Sequence, residues 1–276
     1  MARSAATKQS LSLQKGIIEL RIVLIASGSG GHLVPAIALA EYLRGPDHCT
    51  IVSTSRPVEK SLAANATETW VQLDLRPFTP LWRWLNPKFT LAQLSAVREV
   101  WRLLRRLQPN VVVGFGGYLS AVGILAGRFM KLPTLVHEQN ILPGKANRFV
   151  SRFTDAVAVS FPQTGERFRH RRGVEVTGNP VRARLRERIK TEAARKSFGL
   201  DSHRRVLMVM GGSQGSAAIN TAVIRMWEVQ SHEARSRFQV LHLAGAAHAE
   251  QVQAEYKRLE MKVKVFPFLH EMERAF

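Results

Sequence analysis

Three glycine-rich loops, each placed between an apolar strand-like run and a helix-like run, constrain this 276-residue chain more than any other feature. They cover residues 27–32 (SGSGGH), 114–118 (GFGGY) and 211–215 (GGSQG). Glycine lets the backbone approach a ligand closely, and the N–H groups at a helix start attract phosphate. Two loops lie in the first half and one in the second, so the pattern predicts two phosphate-bearing ligands that meet between two domains.

Short runs of Val, Ile and Leu alternate with helix-like segments along most of the chain. Buried strands separated by helices indicate parallel sheets. The alternation stops at residues 177–180 (TGNP), which are followed by a charged run and then a second strand, glycine loop and helix. We therefore predict an α/β protein with two Rossmann-like domains, residues 20–178 and 179–276, after an N-terminal extension of residues 1–19. The predicted strands are residues 20–26, 50–53, 110–113, 133–136, 156–159, 205–210, 239–243 and 262–266, and the predicted helices are 35–43, 91–107, 119–130 and 216–227.

The chain is strongly basic, with 40 Lys and Arg against 21 Asp and Glu and a formal charge of +19. Such a charge attracts nucleic acid, anionic lipid or diphosphate ligands, and it is also compatible with a host whose proteins are generally basic. The basic residues match no nucleic-acid reader motif, which disfavours a nucleic-acid partner. A single cysteine, Cys49, excludes an internal disulfide and fits a reducing compartment. Neither a signal peptide nor a membrane-spanning apolar run of roughly 18–20 residues is recognisable.

The first loop departs from the dinucleotide-binding fingerprint. Leu33 stands where the third glycine would be, and the next strand ends in residues 54–56 (TSR) instead of an acid. This argues against a nicotinamide or flavin cofactor. His32 closes the loop at the predicted helix start, where a neutral imidazole can act as a general base. The alternative is a histidine that only hydrogen-bonds the loop.

Residues 137–140 (HEQN) follow directly on a predicted strand. The carboxyl ends of parallel strands are where α/β sheets bind ligands. Four hydrogen-bonding side chains in a row are not expected in a core, so we interpret them as part of a binding site, with a polar turn as the alternative.

Residues 70–89 interleave aromatic and aliphatic side chains with Arg and Lys, and three prolines exclude one long helix. This composition suits a membrane–water interface. Stacking on single-stranded nucleic acid uses the same residue types, and a loop packed on its own domain is the third interpretation. The predicted membrane-contact residues are Phe78, Leu81, Trp82, Trp84 and Leu85.

Five motifs occur in a characteristic order: GSGGH, GFGGYLS, HEQN..PGKANR, TGNPVR and GGSQGS..IN. From about Leu20 to its end, the chain resembles the MurG-type N-acetylglucosaminyltransferases of bacterial peptidoglycan synthesis. The resemblance implies a GT-B architecture with two domains facing a cleft, and no cofactor or tightly bound metal. The implied reaction moves N-acetylglucosamine from UDP-N-acetylglucosamine, with inversion, onto the C4 hydroxyl of the muramoyl unit of lipid I, an undecaprenyl-linked acceptor. The implied location is the cytoplasmic face of the inner membrane, as a peripheral protein on an anionic surface.

The resemblance also implies roles for individual residues. Leu269 would contact the uracil of the donor. Within this framework His32 is our candidate for the catalytic base, and we expect His137 and Glu138 to support the site. The residues implied at the acceptor diphosphate are Gly30, Gly31, His32, Gly116, Gly117 and Tyr118. The residues implied at the donor are Ser29, Gly30, Gly31, Asn140, Arg182, Ser213, Gln214 and Leu269.

Two departures from the family pattern stand out. Ser29 replaces the usual Thr but keeps the hydroxyl. The family continues beyond the segment that matches residues 268–276 with a ribose-binding glutamate and a glutamine pair. We therefore expect a C-terminally truncated chain with an incomplete second domain. The alternatives are a GT-B transferase with another lipid acceptor, such as a diacylglycerol, and an inactive donor- or membrane-binding remnant.

Overall fold

A computed structural model of the protein describes residues 20–28, 30–43, 48–64, 66–75, 87–168, 173–186, 189–269 and 271–276. The chain divides into two compact units, Met1–Arg182 and Ala183–Phe276. The boundary predicted after residue 178 lies shortly before this division. The predicted N-terminal extension, Ser29 and the predicted membrane-contact residues of the 70–89 stretch lie outside the described residues.

The first unit contains a parallel sheet covered by helices on both faces. Its described strands form a seven-stranded sheet in the order β3-β2-β1-β4-β5-β6-β7. All neighbouring strands pair in parallel. The elements are β1 (Arg21–Ala26), α1 (Gly30–Tyr42), β2 (His48–Thr54), α2 (Pro57–Ala64), β3 (Thr69–Leu73), α3 (Pro87–Leu107), β4 (Val111–Gly116), α4 (Gly117–Phe129), β5 (Thr134–Glu138), α5 (Lys145–Val150), β6 (Ala156–Val159), α6 (Pro162–Gly165) and β7 (Glu175–Val176).

The core of this unit lies on both sides of β1, because successive side chains of a strand point to opposite faces. Leu24 belongs to a buried cluster that includes Leu33 of α1. Ile25 belongs to a second buried cluster with Leu104 of α3 and Leu119 of α4. Burial on both faces explains why β1 appears in the sequence as a continuous apolar run.

Helices α1 and α4, which follow the first two glycine motifs, start earlier than predicted. Helix α1 begins at Gly30, so Pro35 lies inside it instead of at its start, at the expense of one backbone hydrogen bond. The predicted loop at residues 114–118 is no separate loop, because β4 runs to Gly116 and α4 starts at Gly117. Gly116 and Gly117 have φ angles of +117° and +84°, which only glycine adopts readily, and they turn the strand directly into the helix.

The second unit repeats this organisation with a smaller described sheet, in the order β10-β9-β8, with parallel pairing. Its buried core includes Val209, Val240 and Trp227. Ser216 caps the helix that follows the third glycine loop, since its Oγ accepts a hydrogen bond from the Ile219 N–H at 3.4 Å. The elements are a 3₁₀ turn (Ala183–Arg186), α7 (Thr191–Ser197), β8 (Arg205–Met210), α8 (Ala217–Glu228), α9 (His232–Ser236), β9 (Phe238–Leu243), α10 (Ala249–Arg258), β10 (Val263–Phe266) and a second 3₁₀ turn (Met272–Arg274).

The α/β class and the two Rossmann-like parallel sheets are therefore confirmed. Within the described ranges, the helices are too short or too polar to cross a lipid bilayer.

Candidate active site

The first glycine loop and the Gly116–Gly117 turn lie side by side at the carboxyl edge of the first sheet. They lie at the ends of β1 and β4, which are neighbouring parallel strands. The Ser27 N–H donates to the Gly116 carbonyl at 3.3 Å. A Cβ atom on Gly117 would overlap the carbonyl oxygen and hydroxyl of Ser27, so the two backbones touch and only glycine fits there.

A buried carboxylate holds the first loop from behind. Glu59 of α2 is fully buried, and its Oε1 accepts a hydrogen bond from the Gly28 N–H at 2.8 Å. Its Oε2 accepts a hydrogen bond from the Thr54 hydroxyl. The Gly28 N–H is thereby used within the protein, and the loop is fixed relative to the end of β2. Sequence reasoning missed Glu59, because a lone acid 31 residues from the loop carries no local signal.

His32 lies in the first turn of α1, where both loops meet the end of β5. A Cβ atom on Gly116 would lie only 2.8 Å from the Cε1 and Nδ1 atoms of the His32 ring, so the ring packs against the bare glycine backbone. The Nδ1 atom of His32 lies 3.3 Å from Oε1 of Gln139. Three segments that are distant in sequence thus surround the imidazole.

The HEQN segment is more deeply buried than the sequence suggested. Its four polar residues were expected outside the core, but Glu138 is fully buried and His137 is 4% exposed. Burial is tolerated because Glu138 accepts four hydrogen bonds. Its donors are the Asn140 N–H at 3.0 Å, Asn140 Nδ2 at 2.9 Å, the Gly144 N–H at 3.0 Å and Asn147 Nδ2 at 2.9 Å.

Both ring nitrogens of His137 have hydrogen-bond partners. Its Nε2 lies 3.0 Å from the Gly178 carbonyl oxygen, and its Nδ1 lies 3.2 Å from Nε2 of Gln139. Burial lowers the pKa of His137, and the opposing effects of the Gly178 carbonyl and the Glu138 charge are smaller.

Three other predicted site residues of the first unit have defined surroundings. Arg182 donates from Nε to Oε1 of Glu41 in α1 at 2.9 Å, with side-chain exposures of 27% and 6%. Asn140 is exposed, and its side chain turns toward Glu138. Tyr118 is half-buried in the first turn of α4, and burial raises the pKa of its hydroxyl.

The third glycine loop joins β8 to α8 in the second unit. Gly212 and Gly215 have φ angles of +86° and +76°. A Cβ atom on Gly215 would overlap the carbonyl of Ala244 and lie 2.8 Å from the Cα of Gly245. The loop therefore touches the backbone that follows β9. Ser213 is half-buried, Gln214 is exposed and Leu269 is half-buried.

A buried hydrogen-bond network lies behind this loop. His242 of β9 is fully buried, with Nδ1 3.0 Å from the Tyr256 hydroxyl and Nε2 3.0 Å from Oδ1 of Asn220. Asn220 also donates to the Ala244 carbonyl at 3.0 Å. Burial lowers the pKa of His242 to about 4 and raises the pKa of Tyr256. The sequence offered no signal for this network, because its members lie on three separate elements.

Acid is expected to destabilise the second unit through His242. An unfolded chain takes up a proton on this ring as the pH falls through the ordinary pKa of 6.5, whereas the folded chain does so only near 4. The stabilisation is therefore complete above 6.5 and is lost between 6.5 and about 4, at up to about 1.4 kcal/mol per pH unit.

Urea unfolding of the second unit, followed at several pH values in this window, measures this dependence. His242→Gln should flatten it, and His203→Gln, at an exposed histidine, should leave it unchanged. An equal pH dependence in the wild type and His242→Gln would contradict the assignment.

In the part of the chain that the structure describes, no group of three or more His, Cys, Asp or Glu side chains is placed to hold a metal ion.

Comparison with known proteins identifies the class. The glycosyltransferase family 28 N-terminal domain matches residues 22–159, and the family's C-terminal domain matches residues 206–276. A UDP-N-acetylglucosamine–N-acetylmuramyl-(pentapeptide) pyrophosphoryl-undecaprenol N-acetylglucosamine transferase of Lacticaseibacillus casei is 35% identical over 92% of this chain and 69% of its own length. The enzyme of the same name from Caldanaerobacter subterraneus is 31% identical over 93% of this chain and 71% of its own.

Solved structures agree on the fold. MurG of Acinetobacter baumannii has a TM-score of 0.60 at 24% identity, covering 93% of this chain and 70% of that one. HepE of Anabaena, crystallised with UDP and glucose, has a TM-score of 0.64 at 14% identity, covering 93% and 72%. The two family matches, over residues 22–159 and 206–276, define the chain as a glycosyltransferase. The chain belongs to glycosyltransferase family 28, as the motif order predicted.

Proposed function

We propose that this glycosyltransferase moves N-acetylglucosamine from UDP-N-acetylglucosamine to the C4 hydroxyl of the muramoyl unit of lipid I, forming lipid II. The proposal rests on the position of His32, whose ring lies where the first glycine loop contacts the Gly116–Gly117 turn. The chain is also 35% identical to the N-acetylglucosamine transferase of Lacticaseibacillus casei. Through lipid II the protein would serve peptidoglycan synthesis, and with it cell shape and division.

Each diphosphate has its own set of helix-start amides in this proposal. Gly116, Gly117 and the amides of Gly30 and Gly31 would receive the acceptor diphosphate, next to Tyr118. The backbone N–H groups of residues 212–216, with Ser213 and Gln214, would receive the diphosphate and sugar of the donor, and Leu269 would contact the uracil. Ser29, Asn140 and Arg182 remain proposed donor contacts. Both sets rest on the affinity of helix-start amides and the positive end of a helix for anions. Within the donor set, the Gly215 N–H already donates to the Gly212 carbonyl at 3.1 Å, so the other amides of the loop would make the contact.

The proposed chemistry is a single displacement with inversion. The C4 hydroxyl of the acceptor attacks the anomeric carbon of the sugar as the bond to the UDP oxygen breaks. His32 takes the hydroxyl proton. The charge that develops on the UDP diphosphate is stabilised by preorganised backbone amides and the guanidinium of Arg182. His137 and Glu138 support the site by fixing the segment that contacts His32.

We further propose a peripheral location on the cytoplasmic face of the inner membrane, against an anionic surface. The net charge of +19 supports attraction to such a surface. Phe129 at the end of α4 is 77% exposed and is flanked by the exposed basic residues Arg128 and Lys131, a combination suited to the membrane interface.

Release of UDP from UDP-N-acetylglucosamine, measured with lipid I, with diacylglycerol and with no acceptor, tests the proposed function. Release that requires lipid I and yields lipid II is the expected result. Release with diacylglycerol alone would indicate another lipid acceptor. Calorimetry that detects no binding of UDP-N-acetylglucosamine would indicate a remnant without donor function.

Arg182→Ala is expected to lower kcat/KM for the donor by about 10²–10³-fold, because removing a preorganised charge-stabilising donor costs roughly 2.7–4 kcal/mol of barrier. Initial rates at several concentrations of UDP-N-acetylglucosamine measure the loss. Arg184→Ala, at an exposed arginine close in sequence, is the matched control and should be near normal.

Glu41→Gln separates this role from the ion pair between Arg182 and Glu41. It weakens the same pair but leaves the guanidinium in place. Equal losses in Glu41→Gln and Arg182→Ala would mean that Arg182 acts only through Glu41, and unchanged kinetics in Arg182→Ala would remove it from the donor site.

A further inference from the structure

A continuous chain of hydrogen bonds links His32 to the backbone of the first unit through two other side chains. It runs from Nδ1 of His32 to Gln139, from Gln139 to His137, and from His137 to the Gly178 carbonyl. We propose that Gln139 is a positioning residue that keeps the His32 proton on Nδ1, so that Nε2 presents its lone pair. The role of Nε2 as a base rests on the proposed function, but the position of the proton rests only on these hydrogen bonds.

The orientation of the Gln139 amide is fixed by a backbone carbonyl. Its Nε2 lies 3.3 Å from the carbonyl oxygen of His137, which can only accept a hydrogen bond. That end of the amide is therefore the NH₂ group. The opposite end, Oε1, faces His32 at 3.3 Å and can only accept, so Nδ1 of His32 is the donor.

His137 is consistent with the same assignment. Its Nε2 faces the Gly178 carbonyl oxygen at 3.0 Å and must carry the proton of that ring. In the neutral ring, Nδ1 then holds a lone pair, which accepts the second N–H of the Gln139 amide at 3.2 Å. Two backbone carbonyls thus determine the direction of every hydrogen bond in the chain.

The backbone of a neighbouring glycine packs against the His32 ring. Gly116 has a φ angle of +117°, and a Cβ atom there would lie within 2.8 Å of the ring. One face of the ring packs against the Gly116 backbone, and its Nδ1 atom faces the Gln139 amide. Since a neutral imidazole carries one N–H, a proton held on Nδ1 leaves Nε2 unprotonated.

Two-bond ¹H–¹⁵N correlation spectra of the full chain, labelled with ¹⁵N-histidine and recorded above neutral pH, measure the tautomer of each ring. His32 and His137 are assigned by the loss of their signals in His32→Asn and His137→Asn. The expected result is a proton on Nδ1 for His32 and on Nε2 for His137. A proton on Nε2 of His32 in the wild type would overturn the inference.

Two substitutions of Gln139 separate positioning from packing. Gln139→Met keeps the length of the side chain but removes both polar ends, so His32 is expected to populate both tautomers. Gln139→Glu keeps an acceptor toward His32 and should retain the proton on Nδ1, although it removes the N–H groups that Gln139 donates to His137. Gln163→Met, at an exposed glutamine of α6, is the matched control and should change nothing. A His32 tautomer unaffected by Gln139→Met would overturn the inference, whatever the change in thermal stability.

Turnover provides a second readout in the same variants. Gln139→Met is expected to lower kcat about tenfold, a part of the 10²–10⁴-fold typical of general acid–base catalysis, with donor KM within about twofold. If the wild-type chain transfers no sugar to lipid I, the proposed function fails while the spectra still decide where the His32 proton lies. If transfer occurs and the tautomer is wrong, only the positioning role of Gln139 fails.

Discussion

His32→Ala is expected to lower transfer of N-acetylglucosamine to lipid I by about 10²–10⁴-fold, the usual contribution of a positioned general base. Donor affinity should change little, because the proposed donor diphosphate seat is the third glycine loop of the second unit. Single-turnover rates measure the chemical step, and calorimetry with UDP-N-acetylglucosamine measures binding.

His48→Ala is the matched control for this substitution, since His48 is an exposed histidine at the start of β2 in the same unit. Its turnover should match the wild type. Near-normal turnover in His32→Ala would end the assignment of His32 as the base. A loss of donor affinity as large as the loss of turnover would assign His32 to binding instead.

Gly215→Ala is expected to destabilise the second unit by several kcal/mol and to abolish donor binding. The added Cβ would overlap the Ala244 carbonyl, which is backbone and cannot rotate away, and the φ angle of +76° adds strain for any other residue. Urea unfolding of the second unit and calorimetry with the donor measure the two effects.

Gly212→Ala provides a stability control within the same loop. Gly212 has a similar φ angle of +86°, but a Cβ atom there meets no atom within 4 Å. Gly212→Ala should therefore lower the free energy of unfolding only by the cost of backbone strain, about 1–2 kcal/mol. Equal destabilisation by the two substitutions would show that the contact between the third loop and the turn after β9 contributes nothing.

The sheet strands could be predicted where a short apolar run gives a plain signal. β6 and β8 have the predicted ends, although β6 is mostly buried whereas only Val209 of β8 is buried. β3 was missed, since its sequence TWVQL mixes polar and apolar residues and β2 is its only neighbour in the described sheet. Helices α7 and α10 were also missed, because much of their surface is charged and exposed.

The candidate site was predictable as a set of segments but not as a set of contacts. The glycine loops and HEQN were visible because glycine spacing and strand ends are local properties. The roles of Glu59 and Gln139 depend on which segments the fold brings together and, for Gln139, on a backbone carbonyl that orients its amide. The expectation that HEQN would lie outside the core was wrong for His137 and Glu138, because four donors around one carboxylate compensate its burial.

We propose that helix-start amides of the third glycine loop hold the diphosphate of a nucleotide sugar. Amide ¹H–¹⁵N spectra of the full chain during titration with UDP-N-acetylglucosamine test this assignment. The expected result is a saturable set of shifts that is largest for Gly212, Ser213 and Ser216. Saturable shifts elsewhere in the chain, with these three amides unmoved, would contradict it.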